Sequence, residues 1–218
     1  MDQVIETFKK ADCVCFDVDS TVCTDEGADE LAAFMGVGEQ VANLTNQAMG
    51  GSMTFRESLE KRLDIMKPDR STLQKFVTSR PPSLTSGIKE LVKRLQDKQV
   101  VVYLVSGGFK TIIEPVADSL LIPRENIIAN EFIFNDDGSY KDFDRNAPTS
   151  ASGGKCRVIE QLKASYSTIV HIGDGVTDME ASPPADAFIG FGGNKVREAV
   201  KKESKWFVMS FDELLKVL

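Results

Sequence analysis

At 218 residues, with 42% hydrophobic and 27% charged side chains, the chain suits one globular domain or a core plus a small second unit. Its net charge of −7 disfavours a nucleic-acid ligand, which asks for a basic face. No apolar run approaches the roughly 18 residues of a membrane span, and no basic then apolar start marks a secretion signal.

The first element in chain order is a short apolar run, Cys13 to Phe16, read as a buried strand that leads into Asp17 and Asp19. Residues two apart on a strand share a face, so both carboxylates point the same way. Like charges that close disfavour each other's ionisation. From about 22 to 80 the texture is helical throughout and holds Met35, Met49, Met53 and Met66. Thr54 and Glu57 form a capping box ahead of "FRESLEKRLDIM". This stretch reads as a helical insertion after the first strand. It is a lid over the site, or else a packing appendage.

From residue 84 onward, strands and helices alternate. "GIKELVKRLQDK" places Ile88, Leu91, Val92 and Leu95 on one helical face. "VVVYLVSGG" is a continuous apolar strand ending abruptly in glycine. "FKTIIEPVADSLL" is a helix in which Pro115 marks a kink or a late start. "NIIANEFIFNDDGSYKDF" reads as strands joined at a hairpin, because Asp137-Gly138 is a tight-turn signal. Then follow a helix ("GGKCRVIEQLKASY"), strands ("STIVHIGDG" and "DAFIGF"), a helix ("NKVREAVKKES") and a strand ("KWFVMS"). A last helix, "SFDELLKVL", is expected to be capped by Ser210 and Glu213. Strands apolar on both faces, alternating with helices, predict an α/β fold with a parallel sheet covered on both sides.

In such sheets ligands bind beyond the carboxyl ends of the strands. Asp17 and Asp19 follow the first strand, Ser106, Gly107 and Gly108 the second, and Asp174 and Asp178 a later one, while Lys155 opens a helix after Gly153-Gly154. Asp17 and Asp174 can supply hard oxygen ligands to Mg2+. Lys155 at a helix N-terminus suits an anion, and the glycines let backbone N–H groups approach phosphate. One aspartate can attack phosphorus while the other moves the proton. Competing motifs fail on spacing. An EF-hand loop from Asp17 meets Val22 and Ala28 where it needs Gly and Glu, a P-loop meets Thr149 where it needs Gly, and G-x-G-x-x-G meets Lys195 in its last place. Cys13, Cys15, Cys23 and Cys156 form no C-x-x-C pair and the single His171 reads as a packed strand residue, so a structural zinc site is not expected. The cysteines fit reduced thiols in a cytoplasmic protein.

"DVDST", "VSGG", a mid-chain lysine and "GDGVTD", in this order and at these element boundaries, resemble the haloacid dehalogenase superfamily of phosphohydrolases. "FDVDSTV", "DEGADEL", "AMGG", "LVSGGF", "SGGK", "IGDGVTDMEA" and "ADAFIGFGGN" are similar, over nearly the whole chain, to its phosphoserine phosphatase family. The resemblance implies a Rossmann-like core of residues 1–21 and 81–218, with a small helical cap domain at 22–80. It implies Asp17 as nucleophile, Asp19 as general acid/base, and Mg2+ on Asp17, Asp174 and the backbone carbonyl of Asp19, supported by Asp178. Ser106, Gly107 and Lys155 would hold phosphate. Glu26 would meet the substrate ammonium and Arg62 its carboxylate, with Met49 and Gly50 lining the pocket and Asn130 at its edge. The implied reaction is hydrolysis of O-phospho-L-serine, the last step of serine biosynthesis. The alternatives are another small phosphometabolite as substrate, for hydrolysis or phosphoryl transfer, or a non-catalytic relative that binds phosphate ligands. The intact Asp17/Asp19 pair argues against the last, since a binder needs no proton shuttle.

Overall fold

The computed structural model describes residues 1–47 and 53–218, the side chains of 45–47 apart. Six strands, β1 (Cys13–Phe16), β2 (Val101–Phe109), β3 (Ile127–Asn130), β6 (Ile169–Gly173), β7 (Ala187–Phe191) and β8 (Phe207–Val208), make one sheet in the order β3-β2-β1-β6-β7-β8. Every pairing in it is parallel. A separate antiparallel hairpin joins β4 (Phe132–Phe134) to β5 (Tyr140–Phe143). The chain winds outward from β1 to β2 and β3, then returns to the other side of β1 for β6. That reversal opens a crevice at the carboxyl end of β1, between its two neighbours.

All four residues of β1 are buried, and their side chains alternate between the two faces of the sheet. Val14 and Phe16 pack with the helices α1 (Asp2–Lys9), α6 (Ile88–Asp97), α7 (Lys110–Ser119) and α11 (Phe211–Leu215). Cys13 and Cys15 face α8 (Gly154–Leu162) through Val158 and Ile159. Ile88, Leu91, Val92 and Leu95 of α6 are all buried, as their spacing predicts. No helix among the described residues is long and apolar enough to cross a membrane.

Between β1 and α6 lie α2 (Gly27–Phe34), α3 (Gly38–Gln47), α4 (Phe55–Met66) and α5 (Arg70–Ser79). They enclose a second apolar cluster of Leu31, Val41, Leu59, Leu63, Met66, Leu73 and Phe76. Phe109 and Phe143 complete it, and Phe132, Phe134 and Tyr140 of the hairpin pack against it. The hairpin therefore shares a core with the inserted helices, although in sequence it belongs to the alternating half. The outgoing and returning chains meet in a single antiparallel bridge between Cys23 and Leu84.

The structure departs from the sequence expectations at several boundaries. β2 does not stop at the glycines but runs on to Phe109, with a register shift against β3. α7 begins at Lys110, so Pro115 lies inside it and marks no late start. The helix expected over "NKVREAVKKES" is only α10 (Glu198–Glu203), because Asn194 is bound to distant carbonyls rather than to its own turn. The strand in "KWFVMS" shrinks to β8. The Thr54/Glu57 capping box forms, but the Ser210/Glu213 box does not. Glu213 reaches past Ser210 and accepts the Met209 N–H at 2.8 Å, so Ser210 makes no side-chain cap.

Candidate active site

Asp17 continues the sheet ladder, donating its N–H to Ile172 O at 2.9 Å, and then the chain turns sharply through Val18–Val22. Ser20 takes a left-handed conformation, φ +57°, which costs a non-glycine residue on the order of 1 kcal/mol or more. The turn folds Asp19 back beside Asp17. Asp19 Oδ1 accepts the N–H of Gly27, the first residue of α2, at 2.7 Å. The Ser106 hydroxyl lies 3.3 Å from Asp19 Oδ2 and accepts the Gly108 N–H at 2.8 Å. Between them Gly107 has no room for a side chain, since a Cβ would lie 2.8 Å from the Phe55 ring.

The opposite wall comes from α8 and β6. Lys155 Nζ bridges Asp17 Oδ1 and Asp178 Oδ1, each at 2.6 Å. Asp178 also accepts the Gly175 N–H at 3.0 Å and lies 2.7 Å from His171 Nε2. Asp174 Oδ2 receives Arg197 Nε at 2.7 Å. Carboxylate oxygens of Asp17, Asp174 and Asp178 all lie within 4.8 Å of one another, and all three residues are buried. Burial and the neighbouring Asp178 push the Asp17 carboxyl well above its ordinary value, with Lys155 opposing them. Burial likewise raises Asp19 to about 6, against the Gly27 N–H that pulls it down. Burial would raise Asp178 too, but Lys155 and His171 hold it at about 2. Burial disfavours the Lys155 ammonium, yet Asp17 and Asp178 outweigh it and raise its pKa.

Asp17, Asp19, Gly107, Lys155, Asp174, Asp178 and Arg197 line a cavity of about 480 Å3 that the inserted helices cover, whereas Ser106 and His171 are buried behind its lining. Its acids are Asp17, Asp19, Glu26, Asp29, Asp174 and Asp178, against only Arg62, Lys155 and Arg197. A phosphate dianion entering this excess of carboxylates needs further positive charge. Clustered, buried, hard oxygen donors suit a divalent cation, which would take Asp17 and Asp174 as ligands. Asp178 is largely committed to Lys155, His171 and Gly175.

Arg62, on α4, faces this cavity with no ion pair or hydrogen bond among the described residues, and its Nε is buried. Burial lowers its pKa, and Asp29, Asp19 and Glu26 only partly offset that. Glu26 Oε1 accepts the Ser20 hydroxyl at 2.8 Å and has Arg197 at 3.8 Å and Lys195 at 3.9 Å. Asn130 is fully buried and does not line the cavity. It donates to Gly107 O at 2.8 Å and accepts from Thr149 at 3.0 Å, and so steadies the second strand end. Met49 and Gly50 lie outside the described residues.

Sequence reasoning passed over four participants. Arg197 sits in a loop whose only motif signal is negative. Asp29 lies on the first turn of α2, three residues after its N-cap Glu26, and its buried Oδ1 has no hydrogen-bond partner among the described residues. His171 is buried in its strand as read, but it touches Asp178. Asn194 gathers the carbonyls of Ser20, Thr21 and Cys23 and the Thr85 hydroxyl, at 2.6–3.4 Å.

A family model of haloacid dehalogenase-like hydrolases matches residues 11–186. The phosphoserine phosphatase of Bos taurus is 52% identical over 97% of this chain and 95% of its own. Among solved structures, DsGPDH of Dunaliella salina superposes with a TM-score of 0.88 at 36% identity. It matches all of this chain, which spans 38% of that longer one. A substrate-bound phosphoserine phosphatase superposes with a TM-score of 0.79 at 27% identity, over 94% of this chain and 97% of that one.

Proposed function

The chain belongs to the haloacid dehalogenase-like hydrolases, and within them to the phosphoserine phosphatase family, and from that premise we propose that it hydrolyses O-phospho-L-serine through an aspartyl phosphate on Asp17. The observation that carries the substrate assignment is Arg62. A half-buried arginine whose buried Nε has no hydrogen-bond partner among the described residues, in the same cavity as Asp17 and Asp19, calls for an anionic group besides the phosphate. The substrate carboxylate supplies one, and Glu26 receives the ammonium.

The proposed order of events follows from the residues. Ser106, the N–H of Gly107, and Lys155 hold the phosphoryl oxygens, while the Gly108 N–H stays on the Ser106 hydroxyl. An Asp17 oxygen attacks phosphorus in line with the seryl oxygen. As the P–O bond to serine breaks, Asp19 delivers its proton to the leaving oxygen. A water then attacks the aspartyl phosphate, Asp19 takes that proton, and the bond to Asp17 breaks to release phosphate. A carboxyl held near pH 6 by burial is suited to both transfers at neutral pH. Mg2+ is the cation of choice for a site of few carboxylates plus substrate phosphate, where it would offset the charge gathering on the phosphoryl oxygens. Asp17, Asp174 and the Asp19 carbonyl would hold it.

The proposed division is a core of residues 1–21 and 81–218 and a specificity cap of 22–80. It is supported by the separate apolar cluster of α2–α5 and by the Cys23–Leu84 bridge at its base. Free thiols at all four cysteines support a reducing, cytoplasmic setting, and the proposed role is the final step of serine biosynthesis. The test is a phosphate-release screen over phosphorylated metabolites with and without Mg2+. Phosphoserine should stand out and require the metal. A faster substrate lacking either the amino or the carboxyl group would overturn the assignment.

A further inference from the structure

The chain's only histidine has no part in the chemistry above. His171 is fully buried in β6, its ring stacked against Phe188 with centroids 6.4 Å apart. Nε2 lies 2.7 Å from Asp178 Oδ1, while Nδ1 is buried with no hydrogen-bond partner among the described residues. A buried N–H without an acceptor is rarer and more costly than a bare lone pair. The ring hydrogen therefore sits on Nε2 and is donated to Asp178.

We propose that His171 is a positioning residue: its Nε2–H fixes the Asp178 carboxylate, and that carboxylate fixes Lys155 for the phosphoryl group. Asp178 is held from three sides. Oδ1 accepts from His171 and from Lys155, and Oδ2 accepts the Gly175 N–H. Beneath it, Gly173 leaves no slack, because a Cβ there would lie 2.2 Å from the Asp178 carboxyl carbon. Lys155 Nζ is shared between this carboxylate and Asp17. Any turn of Asp178 shifts the ammonium relative to the nucleophile. The His171 donor commits Oδ1 to Lys155 and keeps Asp178 from joining Asp17 and Asp174, whose oxygens lie within 4.8 Å.

The inference rests on the reading of Lys155 as a phosphate ligand, so the experiment carries Lys155→Ala as a separate arm. His171→Met removes the donor at similar volume, and His171→Gln keeps an N–H at comparable reach. Inorganic phosphate binding is measured by calorimetry on the Mg2+-loaded proteins. His171→Met should weaken it roughly tenfold, the loss of one charge-assisted hydrogen bond, and His171→Gln should restore most of it. kcat/KM should fall by the same factor for phosphoserine and for an aryl phosphate, since neither the ammonium nor the carboxylate contact is touched. In the wild-type protein, 15N spectra contain a single imidazole and should show hydrogen on Nε2 alone. Hydrogen on Nδ1, or unchanged phosphate affinity in His171→Met while Lys155→Ala loses it, would overturn the inference alone. Unchanged affinity in Lys155→Ala would overturn the phosphate reading and the inference together.

Discussion

Replacing Arg62 should improve the fold while damaging the reaction. The residue is half-buried, its buried Nε has no hydrogen-bond partner among the described residues, and burial depresses its pKa, so the charged form disfavours the folded state. Leaving a buried polar group unsatisfied costs about 1–3 kcal/mol. Arg62→Met keeps the length and the apolar stem against α4 while removing that cost, so thermal stability in the absence of substrate should rise by about 1 kcal/mol, or a few degrees in Tm. In the proposed complex with phosphoserine the same guanidinium would gain a carboxylate in an enclosed site, worth on the order of 2–4 kcal/mol. Its loss should lower kcat/KM for phosphoserine roughly 30- to 1000-fold. Arg62→Lys should recover little, because an ammonium cannot reproduce the planar fork. An aryl phosphate has no carboxylate to lose, and its hydrolysis should change little. The assay is steady-state phosphate release with both substrates, beside thermal melts of the same preparations. Equal losses on the two substrates would make Arg62 a residue of the fold, and a fall in Tm would refute the unpaired-charge argument.

Asp17→Asn keeps the shape but not the attacking charge, so turnover should vanish with a native circular-dichroism spectrum; retention of more than a few per cent would rule out covalent catalysis through it. Asp19 carries a folded pKa of about 6 above an ordinary value of 3.8, so its contribution to stability is full below about pH 4 and is lost as pH rises through 6. In metal-free enzyme at pH 8, Asp19→Asn should therefore melt no lower than wild type although it is inactive, and a lower Tm would contradict the burial argument. Chelation should abolish activity and Mg2+ restore it, with Ca2+ a poor substitute because its looser coordination can take both oxygens of the nucleophile; full turnover in chelator would refute the metal site. Gly107→Ala should push Phe55 aside, raising KM several-fold at a cost of about 1–3 kcal/mol in stability, and an unaltered KM would show that the contact with Phe55 is idle.

The catalytic strand ends were legible because each is a local event. A short apolar run such as Cys13–Phe16, broken abruptly by acids, reads as a buried strand, and the polar residues that break it then emerge at one edge of the sheet. The face of α6 was legible for the same reason, since its spacing states its partner. Asn194 was not, because its use depends on a loop after β7 reaching the turn after β1, far away in sequence, and Arg197 was not, because only the fold sets that same loop beside Asp174 at the end of β6. The hairpin's allegiance was hidden as well. "FIF" and "Tyr140–Phe143" announce a strand pair, but only the tertiary fold brings Phe132, Phe134 and Phe143 against α2–α5 rather than the sheet. Glu213 failed as a cap because motif spacing cannot see that Met209 offers the nearer N–H.

The bridge between Cys23 and Leu84 has a consequence for exchange of parts. Because the two crossings lie side by side, the sheet meets the inserted helices as it would meet a short turn, whatever their length. A different insert could be grafted there without reshaping the strands, and substrate choice could change while Asp17 and Lys155 stay fixed. Two conditions limit such a graft. The newcomer must bring a backbone N–H to Asp19 where Gly27 now stands, and it must cover the aromatic side of the hairpin, or the transplanted protein would lose the contact that holds the Asp19 carboxylate and gain a sticky surface.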